Sequence, residues 1–137
     1  MRLLGLDVGE KRIGVAVTDP TGIFTQPIST IMRGTDDIEK ILDLVREYDI
    51  TEVVVGLPVN MNGTLGPGAQ KVQEFAQRLE AVLTIPIVFE DERLTTSMAE
   101  RMMIDADVSR KKRKRSVDKI AAAIILEGRL EKIKANM

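Results

Sequence analysis

The sequence predicts an α/β fold: a mixed β-sheet flanked by helices. Two observations lead there. Three short apolar runs separated by turn signals open the chain, the mark of an antiparallel meander. Further on, apolar runs alternate with segments of helical period, as strands do with crossover helices. The 137 residues suit one compact domain spanning 1–137, with no repeat, low-complexity linker or composition break.

The first strand is Leu3-Leu4-Gly5-Leu6, ending in the carboxylate of Asp7. Gly9 to Arg12 turns the chain, and Ile13 to Thr18 returns it. Asp19-Pro20-Thr21-Gly22 is a second turn, and Pro27 to Met32 a third strand with Pro27 at its entrance. The period then changes. Thr35, Asp36 and Asp37 set hydroxyl and negative charge at a helix start, and Ile38, Ile41, Leu42, Val45 and Tyr48 follow on one face. Val53 to Leu57 is an unbroken apolar run stopped by Pro58, as in a central strand covered on both sides. Beyond the Asn60–Gly68 loop, Val72, Phe75, Ala76, Leu79 and Val82 mark a second helix. Ile85 to Phe89 reads as a fifth strand running into Glu90-Asp91-Glu92. Ser97 and Glu100 have capping-box spacing for a third helix, and Ser116 can cap a last one carrying Ile120, Ala121, Ala123, Ile124, Ile125 and Leu126.

Composition removes whole classes of chemistry. With no Cys there is no thiolate nucleophile, disulfide or Cys-type zinc site, and with no His there is no imidazole base or zincin motif. Any metal must be held by oxygen, which favours Mg²⁺ or Mn²⁺. Catalysis would rest on carboxylates, cations, hydroxyls and backbone amides. No apolar run is long enough to span a bilayer, and the N-terminus meets Gly5 and Asp7 too early for a signal peptide, so the expected location is the cytoplasm.

Three acidic positions stand out. Asp7 ends a buried apolar strand, where a carboxylate is costly unless solvated, paired or metal-bound; it could equally hydrogen-bond its own turn. Glu90-Asp91-Glu92 ends the fifth strand, followed by Arg93, Thr95 and Thr96, a cation and hydroxyls suited to phosphate oxygens. A solvated strand end with a capping threonine explains that segment as well. Asp118 starts an Ala-rich helix, where it favours the helix dipole, but Ala121 and Ala122 would let that end approach the sheet. If the first, fourth and fifth strands are parallel, Asp7, the Asn60 loop and the acidic strand end share one crevice. Three carboxylates so placed could hold two divalent ions for phosphodiester hydrolysis without His or Cys.

The net charge of −1 hides an asymmetry. Arg110, Lys111, Lys112, Arg113, Lys114 and Arg115 are six consecutive cations, and the other 131 residues carry 14 cations against 21 anions. The run is expected to be a flexible loop between two helices that contacts phosphates, joined by Lys11, Arg12 and Arg93 beside the carboxylates. With one Tyr and three Phe, two of which (Phe75 and Phe89) read as core, an aromatic base-stacking platform is not expected.

These motifs together resemble the YqgF (RuvX) family of the RNase H-like superfamily, relatives of Holliday-junction resolvases. They are Gly5-Leu6-Asp7-Val8-Gly9 with Arg12 and Gly14; Gly56-Leu57-Pro58 with Asn60 and Gly63; Asp91-Glu92-Arg93-Leu94-Thr95-Thr96; and Asp118 with Ala121-Ala122. The resemblance covers nearly the whole chain. It implies an RNase H-like fold, with a five-stranded mixed sheet whose first three strands are antiparallel. It implies a Mg²⁺- or Mn²⁺-dependent nuclease acting on structured RNA, the 5′ end of the small-subunit ribosomal RNA precursor. Asp7, Glu92 and Asp118 take the metal-binding catalytic places, and the choice of Glu92 over Glu90 or Asp91 comes from this resemblance. Asn60, Thr95 and the cations named above are the expected substrate contacts. Leu57-Pro58 and Ala121-Ala122 stand where the resolvases carry further acidic residues, which weakens the transfer of junction resolution. A DNA-junction nuclease and a non-catalytic nucleic-acid-binding assembly factor are the competing readings. Neither a membrane nor a nucleotide cofactor is expected, because the actin-like ATPases place nucleotide between two such domains.

Overall fold

A computed structural model describes residues 1–60, 62–91 and 110–136 of the chain, with backbone alone for 110–117. The elements are β1 (Leu3–Val8), β2 (Arg12–Thr18), β3 (Thr25–Met32), α1 (Asp37–Glu47), β4 (Glu52–Leu57), α2 (Pro67–Glu80), β5 (Ile87–Asp91) and α3 (Arg110–Ala135). The five strands form one sheet in the order β3-β2-β1-β4-β5. β2 pairs antiparallel with both β1 and β3, while β4 runs parallel to both β1 and β5. That is the mixed sheet expected from the meander and the crossovers. Because β1, β4 and β5 are parallel, their carboxyl ends share one edge.

Strand alternation sorts the side chains onto two faces. Leu4, Leu6, Val8, Ile13, Val15, Val17, Val53 and Val55 pack with Ile41 of α1 and with Val72, Phe75 and Leu79 of α2. The opposite face carries Leu3, Ala16 and Val54 against Ala122, Ala123, Ile125, Leu126 and Leu130 of α3. The sheet is therefore a middle layer. Asp7, between Leu6 and Val8, faces α3 by the same alternation as Leu3 and Gly5.

Several boundaries differ from the sequence reading. The third strand starts at Thr25, placing Pro27 inside it rather than at its entrance. Because β3 is an edge strand, the amide that proline lacks costs no ladder bond on its open side. The second helix ends at Glu80, which leaves Val82 exposed beyond it. The fifth strand begins two residues late and takes in Glu90 and Asp91. Phe89 is not core: it lies 39% exposed on β5, whereas Phe75 is buried as expected. The cationic run is not a loop. Arg110 to Arg115 form the first turns of α3, and Ser116 lies inside that helix instead of capping it. Straight-chain Lys and Arg are good helix formers, and nothing in the run breaks a helix. Glu92, Arg93 and Thr95, like the Ser97–Glu100 box, lie outside the described residues. Among the described residues, no helix is long and apolar enough to cross a membrane.

Candidate functional site

The site is built where α3 crosses the β1–β2 hairpin. Asp7 of β1 pairs across the ladder with Gly14 of β2. A Cβ at Gly14 would lie 2.0 Å from the carbonyl oxygen of Asp118 and 2.8 Å from the amide nitrogen of Lys119. Only a glycine admits the helix backbone so near the sheet. One turn further along α3, a Cβ at Gly5 would lie 2.9 Å from the Ala122 carbonyl oxygen. Ala121 and Ala122 are fully buried at this contact, so the expected close approach through small residues is observed. Its other half, Gly5 and Gly14 on the sheet, was not anticipated. The signal for it was present: both glycines fall on the strand positions that face the Ala-rich helix.

This packing brings Asp118 onto the face and into the neighbourhood of Asp7, although 110 residues of chain separate them. Asp118 is 25% exposed, and its Oδ2 lies 3.3 Å from Nε of Arg12. Burial raises its carboxyl pKa above the ordinary value of 3.8; the charge and hydrogen bond of Arg12 oppose the shift without cancelling it. A carboxylate so incompletely compensated is a suitable donor for a further cation. Gly9, Glu10, Lys11, Arg12 and Asp118 line an open cavity of about 250 Å³. Lys11 and Arg12 thus share a cavity with Asp118, and Arg12 already has Asp118 as its partner.

The hairpin is held from behind. The Gly9 amide donates to the Arg12 carbonyl oxygen at 2.8 Å, closing the turn. Arg33, just past β3, donates from its backbone to the Lys11 carbonyl oxygen at 2.9 Å and from Nη1 to the Gly9 carbonyl oxygen at 2.8 Å. The sequence reading did not single out Arg33.

Two acidic residues at the end of β5 are otherwise placed. Glu90 faces α3, and its Oε1 lies 2.8 Å from Nζ of Lys132. It fills the space above Gly128, where a Cβ would come within 3.2 Å of the carboxylate. Gly128 is ten residues beyond Asp118, about 15 Å along the helix. Asp91 is exposed and, with Ile87 and Phe89, turns to the face of α2. Asn60 braces its own loop: its backbone amide donates to the Thr64 carbonyl oxygen at 2.9 Å and its Nδ2 to the Thr64 hydroxyl at 3.1 Å.

Among the described residues, no group of three carboxylates is close enough to share a metal ion. Asp7 and Asp118 supply two oxygen donors on one face, one of them partly desolvated, and the chain has no imidazole or thiolate to compete with them. That donor set fits a hard divalent cation.

A family model described as RuvX, Holliday junction resolvase, matches residues 1–132. A Bacillus cereus (strain AH187) protein named "Putative pre-16S rRNA nuclease" is 50% identical over 136 residues, covering 96% of this chain and 99% of its own. One of the same name from Bacillus thuringiensis (strain Al Hakam) is 50% identical over 135 residues, with coverage of 96% and 98%. Thermus thermophilus RuvC in complex with a Holliday junction substrate superposes with a TM-score of 0.59 at 13% identity, over 95% of this chain and 96% of that one. The fowlpox virus resolvase bound to Holliday junction DNA gives 0.55 at 12% identity, over 97% and 99%. At such identities the likeness speaks for the fold alone, and that fold is the RNase H-like resolvase fold.

Proposed function

The chain belongs to the RuvX family, and from that premise we propose that it is a divalent-metal-dependent endonuclease of structured RNA. Its substrate is the 5′ end of the small-subunit ribosomal RNA precursor, and it works in the cytoplasm. The observation that carries the reading is the meeting of Asp7 and Asp118 through the glycine contact at Gly14. Nothing in the packing of an ordinary core requires two carboxylates on one partly covered face, one of them against its desolvation cost.

Asp7, Glu92 and Asp118 would hold Mg²⁺ or Mn²⁺, and the bound ions would supply an activated water and neutralise the leaving oxygen of the phosphodiester. The choice of Glu92 as third donor is supported by the placement of its neighbours, since Glu90 is engaged by Lys132 and Asp91 faces α2. Arg12 orients the Asp118 carboxylate, and with Lys11 it offers positive charge to a phosphate in the cavity they share. The six cations in the first turns of α3 extend that charge along the helix bearing Asp118, so substrate recruited there arrives at the carboxylates. Arg93 and Thr95, next to Glu92 in the sequence, would offer a cation and a hydroxyl to phosphate oxygens, and Asn60 acts by keeping its loop in shape. Contacts of this kind read backbone and shape more than base identity.

One cleavage panel tests the reading, using purified protein with Mg²⁺ and with Mn²⁺. Precursor ribosomal RNA, generic single-stranded RNA and four-way DNA junctions are compared, with Asp7→Asn as control. Metal-dependent cutting of the precursor that Asp7→Asn abolishes is the expected result. Cutting of junctions alone would move the protein to the resolvases. Salt-sensitive RNA binding without cutting, unchanged by loss of the three carboxylates, would make it an assembly factor.

A further inference from the structure

We infer that Arg33, held in place by the buried carboxylate of Asp37, is a positioning residue for the metal-binding hairpin, acting from the opposite face of the sheet. The inference rests on the nuclease reading for what the hairpin does, but not for how it is held. Arg33 makes two bonds to one turn. Its backbone amide takes the Lys11 carbonyl oxygen and its guanidinium the Gly9 carbonyl oxygen, at 2.9 and 2.8 Å. That turn carries Asp7 on its incoming strand and Arg12, the partner of Asp118, on its outgoing one. Fixing both carbonyls of so short a turn fixes the separation of the two strands that present the site.

The guanidinium is itself fixed. Its Nε lies 3.2 Å from Oδ2 of Asp37, whose side chain is only 2% exposed at the start of α1. The other oxygen of Asp37 receives the Ile38 amide at 2.8 Å and has Arg78 of α2 at 4.0 Å. Arg33 also lies over the ring of Phe75, 4.9 Å from its centroid. An isolated buried carboxylate is costly, and Asp37 meets that cost with the guanidinium it orients. A surface arginine bonding one carbonyl would have freedom to leave it; this one is gripped by a buried anion and an aromatic face. Sequence periodicity treats Asp37 as a helix-start residue, and in the fold it becomes the anchor of a contact that ends at the metal-binding hairpin.

The role separates from mere stability in three readouts on Arg33→Lys and Arg33→Met. Lysine can meet Asp37 but cannot bond Gly9 as well, and methionine keeps the stem without donors. Amide hydrogen exchange at Gly9, whose N–H closes the turn, is expected to speed up about tenfold in both. Affinity for Mn²⁺ alone, measured by calorimetry, is expected to fall about tenfold, the scale on which supporting residues affect metal sites. On cut RNA, kcat falls and KM stays within about twofold, as for a change in alignment rather than in substrate binding. Ile41→Val, a one-methylene core truncation on α1 that touches neither Arg33's bonds to the Gly9–Arg12 turn nor its pair with Asp37, serves as the stability control: it lowers Tm and leaves Mn²⁺ affinity unchanged. Wild-type exchange at Gly9 and wild-type Mn²⁺ affinity in both Arg33 variants would overturn the inference, as would an equal loss of affinity in Ile41→Val. If no protein cuts RNA, or none binds Mn²⁺, the nuclease reading fails, while accelerated Gly9 exchange confined to the Arg33 variants still upholds the positioning role.

Discussion

The two ends of the described part of α3 meet the sheet through ion pairs, and the pairs are of different kinds. Toward the C-terminus the sheet supplies the anions and the helix the cations. Glu52 receives two bonds from Arg129, at 3.1 and 3.2 Å, and Glu90 receives Lys132 at 2.8 Å. At the Asp118 end the polarity reverses: the helix supplies the anion and the sheet the cation, in one contact of 3.3 Å. There the pairing falls short of the desolvation, so the Asp118 pKa stays raised. One end is closed by matched charges and clamps the helix. The other keeps a carboxylate whose charge is under-compensated, beside a second carboxylate and an open cavity. The two ends use the same residue types on the same helix, and they differ in which partner supplies the anion and in the open cavity beside Asp118.

The largest effect expected from breaking this contrast is at the carboxylates. Asp7→Asn and Asp118→Asn should each lower cleavage by at least about 10³-fold, the scale of losing a member of a catalytic set, with the fold retained by circular dichroism. Next comes Gly14→Ala. Its methyl would overlap the Asp118 carbonyl, so α3 must lift from the hairpin; a stability loss of about 3 kcal/mol and loss of metal binding are expected by denaturant titration and calorimetry. Lys132→Met tests the clamped end. It strands the enclosed Glu90 and should cost about 1–3 kcal/mol of stability, while Mn²⁺ affinity is unchanged. An equal loss of Mn²⁺ affinity there would dissolve the distinction between the two ends.

Acid titration sharpens the comparison with smaller effects. Asp118 has a raised pKa, so the folded state keeps a proton that the unfolded chain releases near 3.8. Its contribution is most favourable below that value and declines as pH rises through the folded pKa. Without metal, Asp118→Asn should therefore flatten the fall in stability with rising pH in that range. Asp19 behaves oppositely. The Thr21 hydroxyl first, then the Phe24 amide, hold its pKa down to about 2 from 3.8. Its contribution is complete above 3.8 and is lost as pH falls through about 2. An NMR titration of Asp19 should show that low midpoint, and Thr21→Val should raise it.

Much of the fold was legible because hydrophobic period reports burial directly. The meander, the alternation of strand and helix, and the apolar Val53–Leu57 run of β4 were readable for that reason. Boundaries were less so. Glu90 joins β5 although charged, because Lys132 and Gly128 receive it from a helix about 40 residues further along the chain. The cationic run looked like a loop because like charges repel, yet its residues are good helix formers continuous with a packed helix. Asp7 and Asp118 were readable as candidates from residue type and element end. Arg33 was not, since a lone arginine after a strand carries no periodic signal.

By itself, then, the sequence determined the donor chemistry, oxygen and cations without imidazole or thiol, and the order of elements, since both follow from residue type and local period. The tertiary structure decided which carboxylates come together on one face. Facing, closeness and compensation of charge depend on what lies across the sheet: a glycine at position 14 that admits α3, a lysine that takes Glu90 away, and a buried aspartate that sets the arginine behind the hairpin. Those are properties of contacts between distant segments, and no local pattern encodes them.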